Sequence, residues 1–113
     1  MENPEAPDAI TAPYFAYALT LAHKHVPEIV IRSGLTRRPI FTPNVSKFSQ
    51  GMLVNIPLHL DLLASAPSPA LLHAALADHY AGQEIVEVIQ IEPVAIRLDP
   101  TEMKDTDRMR IYV

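Results

Sequence analysis

The sequence predicts an α+β fold, with a largely antiparallel sheet and about two helices on one face. Three observations predict it. Residues 52–63 and 84–91 alternate apolar and polar side chains, the period of a strand with one buried face. Residues 69–82 carry the i, i+3, i+4 apolar spacing of an amphipathic helix, with helix punctuation at both ends. Eleven prolines against three glycines cut the chain into short segments, without the regular alternation of a βαβ architecture.

The elements follow in chain order. Residues 1–13 (MENPEAPDAITAP) read as an extended lead-in, because Pro4, Pro7 and Pro13 prevent regular structure. The rest, residues 14–113, reads as a single α+β domain. Residues 14–22 (YFAYALTLA) are apolar almost throughout and aromatic at the start, which predicts a buried strand, with a helix as the alternative. A short helix follows, with Pro27 at its first position, Glu28 in its first turn and Gly34 just past its end. Residues 38–43 (RPIFTP) predict a short strand closed by proline, and residues 44–51 a turn-rich stretch. In 52–63, Leu53, Asn55, Pro57, His59 and Asp61 form a mostly polar row opposite an apolar row of Met52, Val54, Ile56, Leu58, Leu60 and Leu62. That is a half-buried strand, placed at an edge or bulge by Pro57. Ser68 caps the second helix, Pro69 opens it, Leu72, Ala75, Leu76 and His79/Tyr80 form its apolar stripe, and Gly82 ends it. A strand over 84–91, a small strand over 94–98 and a last strand over 109–113 complete the prediction.

Composition narrows the function. At 113 residues the chain has room for one domain and not for a second complete one. Nine Lys/Arg against thirteen Asp/Glu give a charge of -4, which disfavours a nucleic-acid partner. With no cysteine there is no disulfide, thiolate metal site or cysteine nucleophile in the chain. A membrane partner is not expected, since no run approaches the 18 or so apolar residues of a span. The N-terminus lacks a signal-peptide pattern.

Chemistry concentrates at His23-Lys24-His25-Val26-Pro27-Glu28. At a strand end, His23 and His25 would point to the same side and Lys24 to the other. Such a pair can bind a metal, act as general acid/base, or do neither. No metal is expected, because His59, Asp61, His73 and His79 have no spacing that completes a ligand set. His59, on the polar row, reads as solvent-facing. His73 and His79 read as surface or half-buried helix residues. Arg37 and Arg38 could hold a carboxylate or phosphate, but a pair in a loop reads as solvated, and Lys104–Arg110 as a charged exposed turn. Three scattered glycines cannot cradle a dinucleotide.

LTLAHKHVPEI, then IFTPNVSKFSQGMLVNIPL, then LLHAALADHYAGQEIVEV stand in an order that resembles the C-terminal half of N-acetyl-gamma-glutamyl-phosphate reductase, in its shorter variant, within the semialdehyde dehydrogenase superfamily. The resemblance covers most of residues 16–113. It implies an NADPH-dependent reduction of an acyl phosphate to a semialdehyde in arginine biosynthesis, in the cytoplasm. A cysteine nucleophile forms a thioester in that family, and a histidine of the H-x-H-x-P-E block serves as acid/base. Carried over, His23 or His25 is that histidine. Gln50 and Gly51 fall at the family's substrate-binding position, where arginine often precedes the glycine. Asp105-Thr106-Asp107-Arg108-Met109 replaces the family's G-T-N or G-S-N stretch.

The resemblance also implies what other polypeptide the activity needs. The family's N-terminal nucleotide-binding domain holds NADP, so this chain alone is expected to bind no cofactor and to be inactive. It reads as an excised domain or a truncated relative that forms a homo-oligomer through its sheet. The abrupt apolar C-terminal strand favours excision. The alternative is a stand-alone dimerisation or interaction module with idle histidines. A weaker third reading is a metal-binding domain using His23 and His25.

Overall fold

The computed structural model describes residues 12–93 and 95–113. Its elements are β1 (Tyr14–Ala16), α1 (His25–Ser33), β2 (Asn44–Ser46), α2 (Pro69–His79), β3 (Val86–Val88) and β4 (Met109–Ile111), with a 3-10 turn at Leu60–Leu62. Two helices and two two-stranded sheets make the chain α+β, as its residue pattern predicts. The chain divides after Lys47 into two compact units. Most of the expected lead-in, residues 1–11, lies outside the described residues, as does Val94.

In the first unit, β1 pairs antiparallel with β2: Tyr14 faces Ser46, Phe15 faces Val45 and Ala16 faces Asn44. The expected strand over 14–22 stops at Ala16. Ala18 and Leu21 take left-handed φ angles of 53° and 61°, and the Leu21 N–H closes a turn on the Ala18 carbonyl at 2.8 Å. Each such residue costs about 1–2 kcal/mol, so the turn needs outside support. The strand expected over 38–43 does not form, and β2 sits instead within the stretch expected to be turn. Apolar composition without a partner in register makes no ladder.

Helix α1 begins two residues before Pro27, the predicted first position. Proline is harmless there, because first-turn N–H groups have no helical acceptor. The helix stops where predicted: Gly34 has φ 67° and its N–H donates to the Val30 carbonyl at 3.1 Å. Val26 is buried, while Ile29 and Val30 are half-buried.

In the second unit the strand expected over 52–63 is absent. Residues 51–59 form no ladder, and both of their side-chain rows are exposed, with Met52 at 77% and Ile56 at 73%. Alternation prepares a face for a partner, but a strand also needs backbone groups to bond. Helix α2 follows its sequence signals. The Ser68 hydroxyl accepts from the Leu71 N–H at 3.2 Å, and Pro69 stands in the first turn. Leu72, His73, Leu76, Ala77 and Tyr80 form its half-buried side. The helix ends at His79, ahead of the predicted Gly82 stop.

β3 and β4 are shorter than the predicted strands over 84–91 and 109–113, and no strand forms over 95–98. Their pairing is parallel, against the antiparallel expectation: Val86 faces Met109, Glu87 faces Arg110 and Val88 faces Ile111. Residues 89–108 make the long return that parallel pairing requires. The His73 Nε2–H donates to the Ile89 carbonyl at 2.9 Å, tying α2 to the end of β3. Arg110 bonds Glu87 at 3.0 Å and also pairs with Glu102, whose other oxygen accepts from the Tyr112 hydroxyl at 3.2 Å. The Glu87 bond holds the Arg110 guanidinium above its already high ordinary pKa. Arg110 thus fastens the 99–107 loop to the strands, which the expected solvated turn did not foresee.

Two further contacts shape that loop. The Asp105 N–H donates to Gln50 Oε1 at 3.0 Å. Gly51, at φ 106°, packs so tightly that a Cβ there would lie 1.8 Å from the Pro100 carbonyl oxygen. Neither unit has a deep interior: among the described residues only Val26, 4% exposed, is buried.

Two predictions follow from the loop. Gly51→Ala should destabilise the second unit by about 1–3 kcal/mol through forced backbone displacement. Thermal unfolding followed by circular dichroism measures this, and an unchanged midpoint would contradict the close packing. Asp99 Oδ1 accepts from the Thr101 hydroxyl at 2.7 Å and the Thr101 N–H at 2.8 Å. Those bonds, the hydroxyl's first, hold the Asp99 carboxyl below its ordinary value. Their contribution is therefore present above the ordinary carboxylate range and is lost as pH falls through the lowered folded value. The Thr101 amide NMR signal should titrate below that range, and Asp99→Asn should abolish the inflection. An inflection at the ordinary value would contradict the assignment.

Candidate active site

The first unit gathers the histidines at the start of α1. Residues 23–25 are not the strand end that the spacing implies. They lead into the helix from the strained turn over 18–21. His23 and His25 still come together, with ring centroids 4.8 Å apart. The half-buried His23 ring also meets Phe41 at 5.2 Å and, edge-on, Tyr17 at 5.5 Å. Aromatic contacts of this kind contribute roughly 0.5–1.5 kcal/mol each beyond their buried area.

Hydrogen bonds assign the two rings opposite characters. His23 Nδ1 accepts from the His25 backbone N–H at 3.2 Å, so the proton of neutral His23 lies on Nε2. This ring does for α1 what a serine or aspartate cap commonly does, satisfying a first-turn N–H. The His23 carbonyl accepts from the Val26 N–H at 3.0 Å, completing the helix start. His25 Nδ1 lies 2.8 Å from Glu28 Oε2. An ionised carboxylate only accepts, so the proton of neutral His25 lies on Nδ1 and leaves a lone pair on Nε2. One ring presents a donor and its neighbour a base. Both His25 and Glu28 are exposed, so their contact orients the ring and adds little stability.

Beside the rings lies a shallow concavity of about 500 Å3, lined by Ala22, His23, Val26, Pro27, Val30, Ile31 and Arg38. Its wall is apolar except for His23 and Arg38. The Arg38 guanidinium donates to the Leu21 carbonyl, across 17 residues of sequence. Sequence reasoning weighed Arg38 as a solvated loop residue or an anion holder, and Glu28 only as a helix-start residue. The i, i+3 spacing of His25 and Glu28 on a helix was the available signal for their contact.

The other candidates stand elsewhere in the chain. Gln50 and Gly51 belong to the second unit, where they hold the 99–107 loop. His59 is exposed, as its strand row implied, and His79 is exposed with its ring 4.8 Å from that of Tyr80. His73 is half-buried and bonded to Ile89. Among the described residues, no group of three or more His, Cys, Asp or Glu gathers to hold a metal ion. Nor is any helix among them long and apolar enough to cross a membrane.

Comparison with known proteins agrees with the resemblance carried by the three motif blocks. Over its whole length the chain is 51% identical to the N-acetyl-gamma-glutamyl-phosphate reductase of Rhizobium etli strain CFN 42, and it covers 37% of that protein. It is 52% identical to the reductase of Rhizobium johnstonii and 49% identical to that of Sinorhizobium medicae, again over the whole chain and 37% of each relative. The chain therefore spans little more than a third of the length of the relatives it matches. No solved structure matches it. A family profile described as the semialdehyde dehydrogenase dimerisation domain matches residues 3–113, and the chain belongs to that family.

Proposed function

We propose that this chain is the dimerisation and acid/base region of an N-acetyl-gamma-glutamyl-phosphate reductase, an enzyme that reduces an acyl phosphate to a semialdehyde in cytoplasmic arginine biosynthesis. The observation that carries the reading is the 2.8 Å contact between His25 and Glu28 beside His23. It turns a histidine pair into an oriented base with a neighbouring donor. Names of the relatives supply the reaction, and the family supplies the association with a second copy.

In this reading His25 is the acid/base. Its Nε2 takes the proton of a thiol that attacks the acyl carbon, where a C–S bond replaces the C–O bond to departing phosphate. It returns a proton to the thiolate expelled as the semialdehyde forms, with Glu28 holding the ring in the required tautomer and the two reducing electrons coming as hydride from NADPH. The thiol comes from outside this chain, which has no cysteine. His23, through Nε2–H, donates toward the substrate's acyl oxygen. Gln50 and Gly51, in the second unit, are assigned to substrate binding on the family resemblance, and Gly51 also packs against the Pro100 carbonyl.

The residues present do not fit a dinucleotide. Gly34 ends α1, Gly51 packs on Pro100 and Gly82 follows α2, so none forms a phosphate loop ahead of a helix. In this reading NADP is held by an N-terminal nucleotide-binding domain in the part of the relatives that this chain does not match, and this chain alone is inactive. The homo-oligomer forms through the sheet, since two-stranded sheets are marginal by themselves.

The test places this region in the Rhizobium etli reductase in place of the matching 37% of that protein. His25→Ala should lower kcat by about 100-fold or more, the usual worth of a general acid/base. Glu28→Gln should lower it less, with KM little changed. The isolated chain should reduce no acyl phosphate. Activity of His25→Ala within threefold of the parent would overturn the assignment and favour the module with idle histidines.

A further inference from the structure

We propose that Arg38 is a positioning residue, one that fixes the place and tautomer of the His23–His25 pair by holding the strained turn that delivers them. Three observations converge. The turn over 18–21 contains two non-glycine residues, Ala18 and Leu21, in the left-handed region, a conformation that persists only when its surroundings enforce it. Within the turn, the Leu21 N–H closes on the Ala18 carbonyl at 2.8 Å. The carbonyl of the same strained Leu21 accepts from the Arg38 guanidinium, two residues before His23.

The segment that carries Arg38 grips the same stretch at two more points. The Phe41 ring lies 5.2 Å from the His23 ring, and the Pro43 carbonyl accepts from the Tyr17 N–H at 3.2 Å. Residues 38–43 thus form a clamp: one end holds Tyr17 before the turn, the middle holds the His23 ring after it, and Arg38 holds the turn itself.

Arginine suits the task. Its guanidinium carries five N–H donors in a planar fork, so it can hold a carbonyl in a fixed geometry. Release of the Leu21 carbonyl would let the turn relax toward ordinary φ values. His23 would then leave the chain in another direction, and its Nδ1 would lose the His25 N–H. The link to catalysis rests on the proposed role of His25, whereas the positioning itself does not.

The experiment is 15N NMR of the imidazole and backbone amide groups in the 113-residue chain, with variants Arg38→Gln, Arg38→Lys and Arg37→Gln. Wild type should show His23 as one tautomer, protonated on Nε2, with ring contacts to Phe41. Arg38→Gln should give mixed His23 tautomers and lose those contacts, while the backbone amide signals of Phe15 and Val45, paired across β1 and β2, stay in place and report an intact first unit. Arg38→Lys, which keeps a cationic donor, should recover a majority of the wild-type tautomer. Arg37→Gln, altering an exposed neighbour, should change nothing. Wild-type His23 signals in Arg38→Gln would overturn the proposal. So would loss of the Phe15 and Val45 signals together with the change at His23, because that would mean unfolding of the first unit rather than local release. Reductase activity of His25 variants decides the functional reading separately.

Discussion

Everything in this chain is conditioned by a shortage of buried surface. Nearly half of the residues are hydrophobic, yet among the described residues Val26 alone is buried. Large apolar side chains stand in the open on every kind of element: Ile31 on α1, Leu71 on α2, and Met52 and Ile56 on residues 51–59. Apolar burial is worth roughly 25 cal/mol per Å2, and folding must set it against chain entropy of similar total size. Two units with so little interior are poorly supplied for that balance, as are two sheets of two strands each. The proposed function places the missing term in a second copy and in further polypeptide.

Local interactions are correspondingly prominent. The first unit is organised by a knot of rings and hydrogen bonds around His23 rather than by an apolar interior. The second is organised by α2 against β3, with His73 on Ile89 and Arg110 between two glutamates. Polar ties of this kind define geometry while contributing little free energy where solvent reaches them. That division suits the proposed role. Side chains that must hold a tautomer are fixed locally, and in the proposed function further stability comes from association.

Helices were legible in the sequence because their signals are local. Ser68-Pro69 at one helix and Gly34 at the other act within a turn of the residues they govern. The start of α1 was displaced because a histidine ring does the capping, and that residue is not among the usual caps. Strands were legible only as alternation. The pattern over 52–63 is real, but it records which face awaits cover and says nothing about a partner for the backbone. The parallel sense of β3 and β4 was hidden because period-2 alternation is the same for either direction. Of the candidate site, the histidines were visible by type and spacing. Their opposite tautomers were not, and neither was the tie from Arg38 to Leu21, which depends on a turn that no residue type announces.

Sedimentation velocity of the 113-residue chain, run from micromolar to near-millimolar concentration, tests the burial account most directly. Exposed apolar faces of this extent should drive self-association, with the boundary moving from monomer toward dimer or larger as concentration rises. A single monomeric boundary at every concentration, together with one cooperative thermal unfolding transition, would show that the chain is stable without cover. It would contradict the claim that its fold depends on association.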